Sequence, residues 1–292
     1  MTGIAALPRF IRQPGPPALV RATLMPAGMV ALDLTLPAGP RLLDALAEMM
    51  AARGIESACL SLSGGAFGPF AYVMPSAAVD SAHAAYYSDI YRPQGASQLE
   101  TAALTLGWRD GAAWFHCHAL WREADGTTGC GHVLPPETFV GAPVRVQGAG
   151  MIGARFEVRD DPETGFSLLM PEATGTPIPP GSKLALAIRL APNQDLTGAL
   201  EQAGCRAGFR RAILHGGVAS LIGVRFADAP DIEGYATEVL VRRGLVRCVP
   251  DAGAASEIEV SVVDYLGSIG TGRLVAGDNP VLMTFEGLLE AV

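Results

Sequence analysis

The chain has 292 residues, 49% apolar and 17% charged, with a net charge of −8 and a pI of about 5.1. That is enough apolar material for two packed domains of ordinary size. Lys183 is the only lysine and arginines are not clustered, which argues against a phosphate backbone as partner; no apolar run reaches the eighteen or so residues of a membrane-spanning helix, so no membrane partner is expected.

Residues 1–22 carry Arg9, Arg12 and Arg21 and four prolines but no continuous apolar stretch, and they read as an irregular arm rather than a secretory signal. Cys59, Cys117, Cys130, Cys205 and Cys248 lack CxxC spacing; an odd number without an export signal favours free thiols and a cytoplasmic location. Residues 30–36 alternate as a strand. A helix follows with Leu42, Leu43, Leu46, Met49 and Met50 on one stripe and Gly54 as its stop. Residues 57–62 read as a buried strand ending at Gly64-Gly65. The segment from His83 to Pro93 holds three of the six tyrosines, His83 and Arg92; it reads as a long loop able to cover a site and offer Arg92 to an anion. Glu100 precedes the next strand, from which it is placed to orient an imidazole or act as a general base.

That strand leads to Phe115-His116-Cys117-His118, and Gly131-His132 follows. Three of the five histidines thus fall within seventeen residues. Alternate strand residues share a face, so His116 and His118 point one way and Cys117 the other. Asp125-Gly126-Thr127-Thr128-Gly129 is turn chemistry that folds the chain back and brings His132 beside the pair. Three neutral imidazoles form a divalent-metal site with an open position, the usual arrangement of catalytic zinc. Other glycine motifs do not carry chemistry. Gly64-Gly65-Ala66-Phe67-Gly68 lacks the Gly-Lys-Ser/Thr end of a phosphate loop, and Gly148-Ala149-Gly150-Met151-Ile152-Gly153 has no βαβ context for a dinucleotide.

The chain repeats itself. At an offset of 154 residues, Leu32-Asp33-Leu34-Thr35-Leu36 meets Leu186-Ala187-Ile188-Arg189-Leu190 and Gly54 meets Gly208; at 152, Gly64-Gly65 meets Gly216-Gly217; at 141, Gly126 to His132 meets Gly267 to Arg273. The second copy reads as a strand and helix, then a strand over 211–214 ending at its double glycine. His116, His118 and His132 become Glu257, Glu259 and Arg273 there, a set expected to pair with itself, leaving a degenerate, structural or substrate-lining half. The expected organisation is an arm over 1–22, a domain with the histidine site over 23–160, a proline-rich linker over 161–181 and a degenerate domain over 182–292. Each domain is expected to be α+β, a largely antiparallel sheet with one packed helix.

The pattern Gly54-Ile55-Glu56-Ser57-Ala58 through Ser63-Gly64-Gly65, then His116-Cys117-His118 and Gly131-His132, resembles the plant and prokaryote conserved (PCC or PPC) domain, once a domain of unknown function. Cys130 stands where that family often has a glycine. The resemblance is good over about 29–150 and extends to 183–290 through the repeat. It implies two tandem α+β domains, a homotrimer, and a metal held by His116, His118 and His132. Bacterial relatives often carry a DNA-binding label, but no AT-hook-like Arg-Gly-Arg-Pro segment occurs here. The function expected is metal-dependent, with zinc, as a hydrolase, hydratase or lyase of a small anionic metabolite. The alternatives are a non-enzymatic regulator, DNA-associated as the label suggests, and a structural assembly protein.

Overall fold

A computed structural model describes residues 9–248 and 255–292. The start of the arm, residues 1–8, lies outside the described residues. The first copy runs β1 (Ala22–Leu36), α1 (Leu42–Arg53), β2 (Ser57–Ser63), β3 (Ser97–Arg109), β4 (Ala112–Arg122), β5 (Thr128–Val133) and β6 (Val144–Ile152). A hairpin of β7 (Ala154–Asp160) and β8 (Ser167–Ala173) follows. The second copy runs β9 (Lys183–Leu190), α2 (Leu196–Arg206), β10 (Arg211–Leu221), β11 (Thr237–Arg247), β12 (Glu257–Asp264), β13 (Ile269–Arg273) and β14 (Val281–Ala291).

Pairing gives the first copy the antiparallel order β1-β6-β2-β3-β4-β5 and the second the order β9-β14-β10-β11-β12-β13. The two orders are the same. The repeat is therefore one topology used twice, two α+β units dominated by antiparallel sheet with a helix in each.

The units share a strand. β1 is longer than the alternation over 30–36 foretells, because residues 22–29 pair with β9 while residues 28–36 pair with β6. The region read as a linker also departs from expectation: β8 lies inside it, paired with β7 along its length. Its prolines mark ends and edges rather than an open tether, and Pro171 is tolerated because β8 has a partner on one side. A third difference is β10, which passes through Gly216-Gly217 with a register shift instead of stopping there. Both glycines have positive φ, so the extra residue is absorbed as a bulge.

Helix α1 buries Leu42, Leu43, Leu46, Met49 and Met50, and Gly54 ends it at φ +61 with amide bonds back to the last turn. Each such side chain contributes on the order of 2 kcal/mol of apolar burial. They pack on one face of the first sheet, with Ala102, Leu104, Cys117 and Ala119. The other face is covered by the second copy: Ala103, Leu120 and Cys130 pack against Val218, Leu240 and Val263. Strand alternation thus sends Cys117 to the helix side and its neighbours His116 and His118 to the seam between the copies. The five cysteines are free, with Cys205 alone exposed.

The seam admits little added volume. A Cβ on Gly216 would lie 3.0 Å from the Cβ of Cys59 and 3.2 Å from the amide nitrogen of Leu60, at φ +63. Gly54 has nearly the same φ and open space around it. Gly54→Ala should cost about 1 kcal/mol from the left-handed backbone alone, and Gly216→Ala should cost roughly 1 kcal/mol more. Urea unfolding of the two variants measures the difference; equal losses would mean that the seam is loose at Cys59.

Candidate metal centre

β4 and β5 form the hairpin foretold by the turn. Gly126 takes φ +89, the Asp125 carboxylate accepts from the Thr127 amide at 2.9 Å, and His118 lies directly opposite His132 in the register. The three rings form a near-regular triangle with centroids 4.8, 4.9 and 5.3 Å apart. One ligand nitrogen from each lies within 4.8 Å of the others.

Hydrogen bonds fix the tautomers of two of them. The Nδ1 of His118 lies 2.9 Å from the carbonyl oxygen of Val239, which can only accept, so that nitrogen carries the proton. The Nδ1 of His116 donates to Glu286 Oε2 at 2.8 Å. Glu286 is fully buried and also accepts from the Thr284 hydroxyl through Oε1, at 3.4 Å. The buried Arg189, opposite Glu286 in the register, donates to Thr284 and to Asp161 and supplies positive charge behind the carboxylate.

With both Nδ1 protons committed, the Nε2 atoms of His116 and His118 face each other across 3.2 Å, and in neutral rings both present lone pairs. Two nitrogens bound tetrahedrally to one zinc at ~2.05 Å would be about 3.3 Å apart. The third ring adds a buried Nδ1 on His132 without a hydrogen-bond partner, and Glu238 adds a buried Oε2 in the same state. Glu238 Oε1 lies 3.8 Å from the Nε2 of His118 and 4.0 Å from the Nδ1 of His132. Burial and the adjoining His116 and His132 rings hold His118 well below the usual imidazole range; burial, then His116, does the same to His132. Both are thus neutral and able to ligate at pH 7. Burial holds the Glu238 carboxyl well above its usual range. The donor set fits a divalent ion. A proton between two rings would relieve one repulsion, whereas a cation at the centre answers all the unpaired atoms together.

Two small pockets meet at the rings. One, with room for about 60 Å³, is lined by Tyr87, His116, His118, Glu238 and Thr284; the other, of about 170 Å³, by Tyr87, Arg109, Trp114, His116, His132 and Glu286. Tyr87 sits edge-on to His132, ring centroids 5.2 Å apart, at the end of a short hairpin (Pro75–Ala77 with Ala85–Tyr87). The segment read as a covering loop does cover the histidines, through this tyrosine. Tyr87 is about half exposed overall, but desolvation on its inner side, with Glu238 and Glu286 adjoining, raises its hydroxyl above the ordinary phenol value.

Arg92 and Glu100 are not in the site. Tyr91 bridges to Tyr72 and turns the chain outward, so Arg92 pairs with Glu137 at 2.8 Å on the surface. Glu100 stands at a register shift in β3 and faces Arg122 at 3.4 Å. His116 and His118 lie opposite Thr105 and Ala103, so Glu100 is roughly 10 Å or more along the strand from their level. Among the described residues Arg109, over the Trp114 ring at 5.1 Å, is the one Arg or Lys lining either pocket.

The second copy places Glu259 opposite Arg273, the register of His118 and His132. The two do not pair with each other: Glu259 reaches Arg242 at 3.5 Å and Arg273 reaches Asp228 at 3.8 Å, around an open charged pocket that Glu257 also lines. The expected self-contained ion pair is corrected to two separate ones, each residue having a nearer partner on a neighbouring segment. The second copy's larger contribution is to the first copy's site, through Val239, Glu238 and Glu286. Their signal in the sequence is an acid inside an apolar run, Thr237-Glu238-Val239-Leu240 and Phe285-Glu286-Gly287-Leu288.

No family model matches the chain, and no curated protein does. Among solved structures it is similar to a plant- and prokaryote-conserved protein of Pyrococcus horikoshii, at 17% identity and TM-score 0.40, over 49% of this chain and 93% of that one. It is similar to a metal-containing protein of Archaeoglobus fulgidus at 19% and 0.40, over 48% and 93%. A protein of Ralstonia eutropha provisionally named as DNA-binding is similar at 19% and 0.34, over 47% and 88%.

Glu286→Gln removes the carboxylate that aims the His116 ring and leaves all three imidazoles in place. It should weaken divalent-metal affinity about 10- to 100-fold, whereas Arg92→Ala and Glu100→Ala should leave it unchanged. Chelator competition on the purified variants measures all three, and an unaltered Glu286→Gln affinity would sink the assigned role.

Proposed function

We propose that this chain is a tandem, two-domain member of the PCC family in which the first domain holds one divalent metal ion, zinc by preference, on His116, His118 and His132. The observation that carries this reading is the pair of Nε2 atoms 3.2 Å apart, each on a ring whose other nitrogen is already bonded. Carboxylate and carbonyl partners on the far side of the imidazoles are the usual outer support of metal ligands. Nitrogen-rich coordination suits zinc over calcium or magnesium, which prefer oxygen.

The chemistry proposed is hydrolysis, hydration or a lyase reaction on a small anionic metabolite. The ion would supply Lewis acidity toward a carbonyl or carboxylate oxygen. Glu286 and the Val239 carbonyl keep two rings in the ligating tautomer. Tyr87 roofs the centre and limits water. Arg109 at the mouth of the larger pocket takes the anionic group, the role the sequence suggested for Arg92. The small pockets favour a ligand of few atoms over a polymer, and the charge of −8 disfavours DNA.

Elemental analysis of the untagged protein tests this. About one metal per chain is expected in the wild type and none in His132→Ala. Metal-loaded protein should turn over a small carboxylate or phosphorylated metabolite in a screen, with activity removed by chelator and KM raised at least tenfold by Arg109→Ala. A metal-free protein that binds duplex DNA with a steep salt dependence would replace this reading with the regulatory one.

A further inference from the structure

Glu238 comes from the second copy, at an interior position of β11, where it pairs with Ser220 and Val263. It shares a strand face with Leu240, which packs on Ala103 and Leu120 of the first copy. The apolar seam between the copies therefore delivers a carboxyl group straight to the three rings. Its side chain is 6% exposed. Among the described residues no lysine or arginine pairs with it, and its Oε2 has no hydrogen bond. A carboxyl group in that position is costly unless something answers it. The nearest groups are imidazole nitrogens of His118 and His132, at 3.8 and 4.0 Å. These separations exceed the spacing of two ligands on one ion by about half an ångström, within reach of a small side-chain rotation.

We propose that Glu238 is the fourth protein ligand, so that the metal centre is a three-imidazole, one-carboxylate site built by both copies. This rests on the three-histidine reading and goes beyond it. A first-row divalent ion accepts this mixed donor set, with zinc, manganese and iron(II) all suited by ligand type, and expansion to five or six ligands keeps a position for substrate beside the four protein donors. The consequence is mechanical as well as chemical. The ion would bridge β4 and β5 of one copy to β11 of the other, and the copy without histidines at the matching positions becomes indispensable to the site of its neighbour.

The test uses the full chain loaded with cobalt(II), as wild type, Glu238→Gln and Glu238→Ala. Cobalt affinity is read by chelator competition, the ligand set by the visible d–d spectrum, and fold by thermal unfolding of the metal-free forms. Wild type should bind one ion. Both variants should bind at least tenfold more weakly, with displaced d–d bands, and their metal-free forms should melt no lower than wild type because a buried, unanswered carboxyl is gone. That last readout separates a ligand from a merely structural residue. Should Glu238→Ala fail to fold, the near-isosteric Glu238→Gln carries the same test. Variants with wild-type affinity and spectrum would overturn the role of Glu238 and leave the three-histidine site standing. A wild-type protein that takes up no cobalt would remove both.

Discussion

One strand does the work of two in this molecule. The first part of β1 hydrogen-bonds to β9 and the last part to β6, with Gly28 and Met29 in both registers. A shared strand leaves the two copies no freedom to drift apart, and it sets the face of the first sheet that is not covered by α1 against strands of the second. Everything polar in that seam is consequently held between two sheets, where unpaired groups are expensive. The site's geometry descends from this constraint.

Within the seam, the decisive fact is the orientation of imidazole lone pairs. Val239 and Glu286 commit the inner nitrogens of His118 and His116, and the outer ones then confront each other. Both partners belong to the second copy. That copy carries Glu257, Glu259 and Arg273 where the first has its histidines, and serves the first copy's site through β11 and β14 instead. Arg189, Thr284 and Asp161 extend that support into the interior, so the histidines stand on a buried polar network rather than on a flexible hairpin alone.

Much of this was legible in the sequence, for local reasons. The helix α1 stripe, its glycine stop, the β4–β5 turn and the opposed faces of Cys117 and its histidine neighbours follow from periodicity and turn chemistry. The repeat offset of 141 residues correctly matches the His118–His132 register with Glu259–Arg273. What was not legible depends on contacts far apart in the chain. Nothing near Glu100 signals the register shift that turns it outward, and nothing near Arg92 signals the Tyr72–Tyr91 bridge that carries it to Glu137. Residues 22–29 do not alternate cleanly, so their role as a second strand segment is visible only once β9 is in place. Glu238 and Glu286 lie 120 and 170 residues from the histidines they serve, His118 and His116; only their burial among apolar neighbours hinted that they were held for a purpose.

The most direct test of the account is X-ray absorption spectroscopy of the zinc-loaded protein in solution. The account predicts a first shell of nitrogen and oxygen at about 2.0–2.1 Å, with the outer-shell scattering of three imidazoles. A shell of oxygen alone, or one with sulfur or with no imidazole signature, would contradict it.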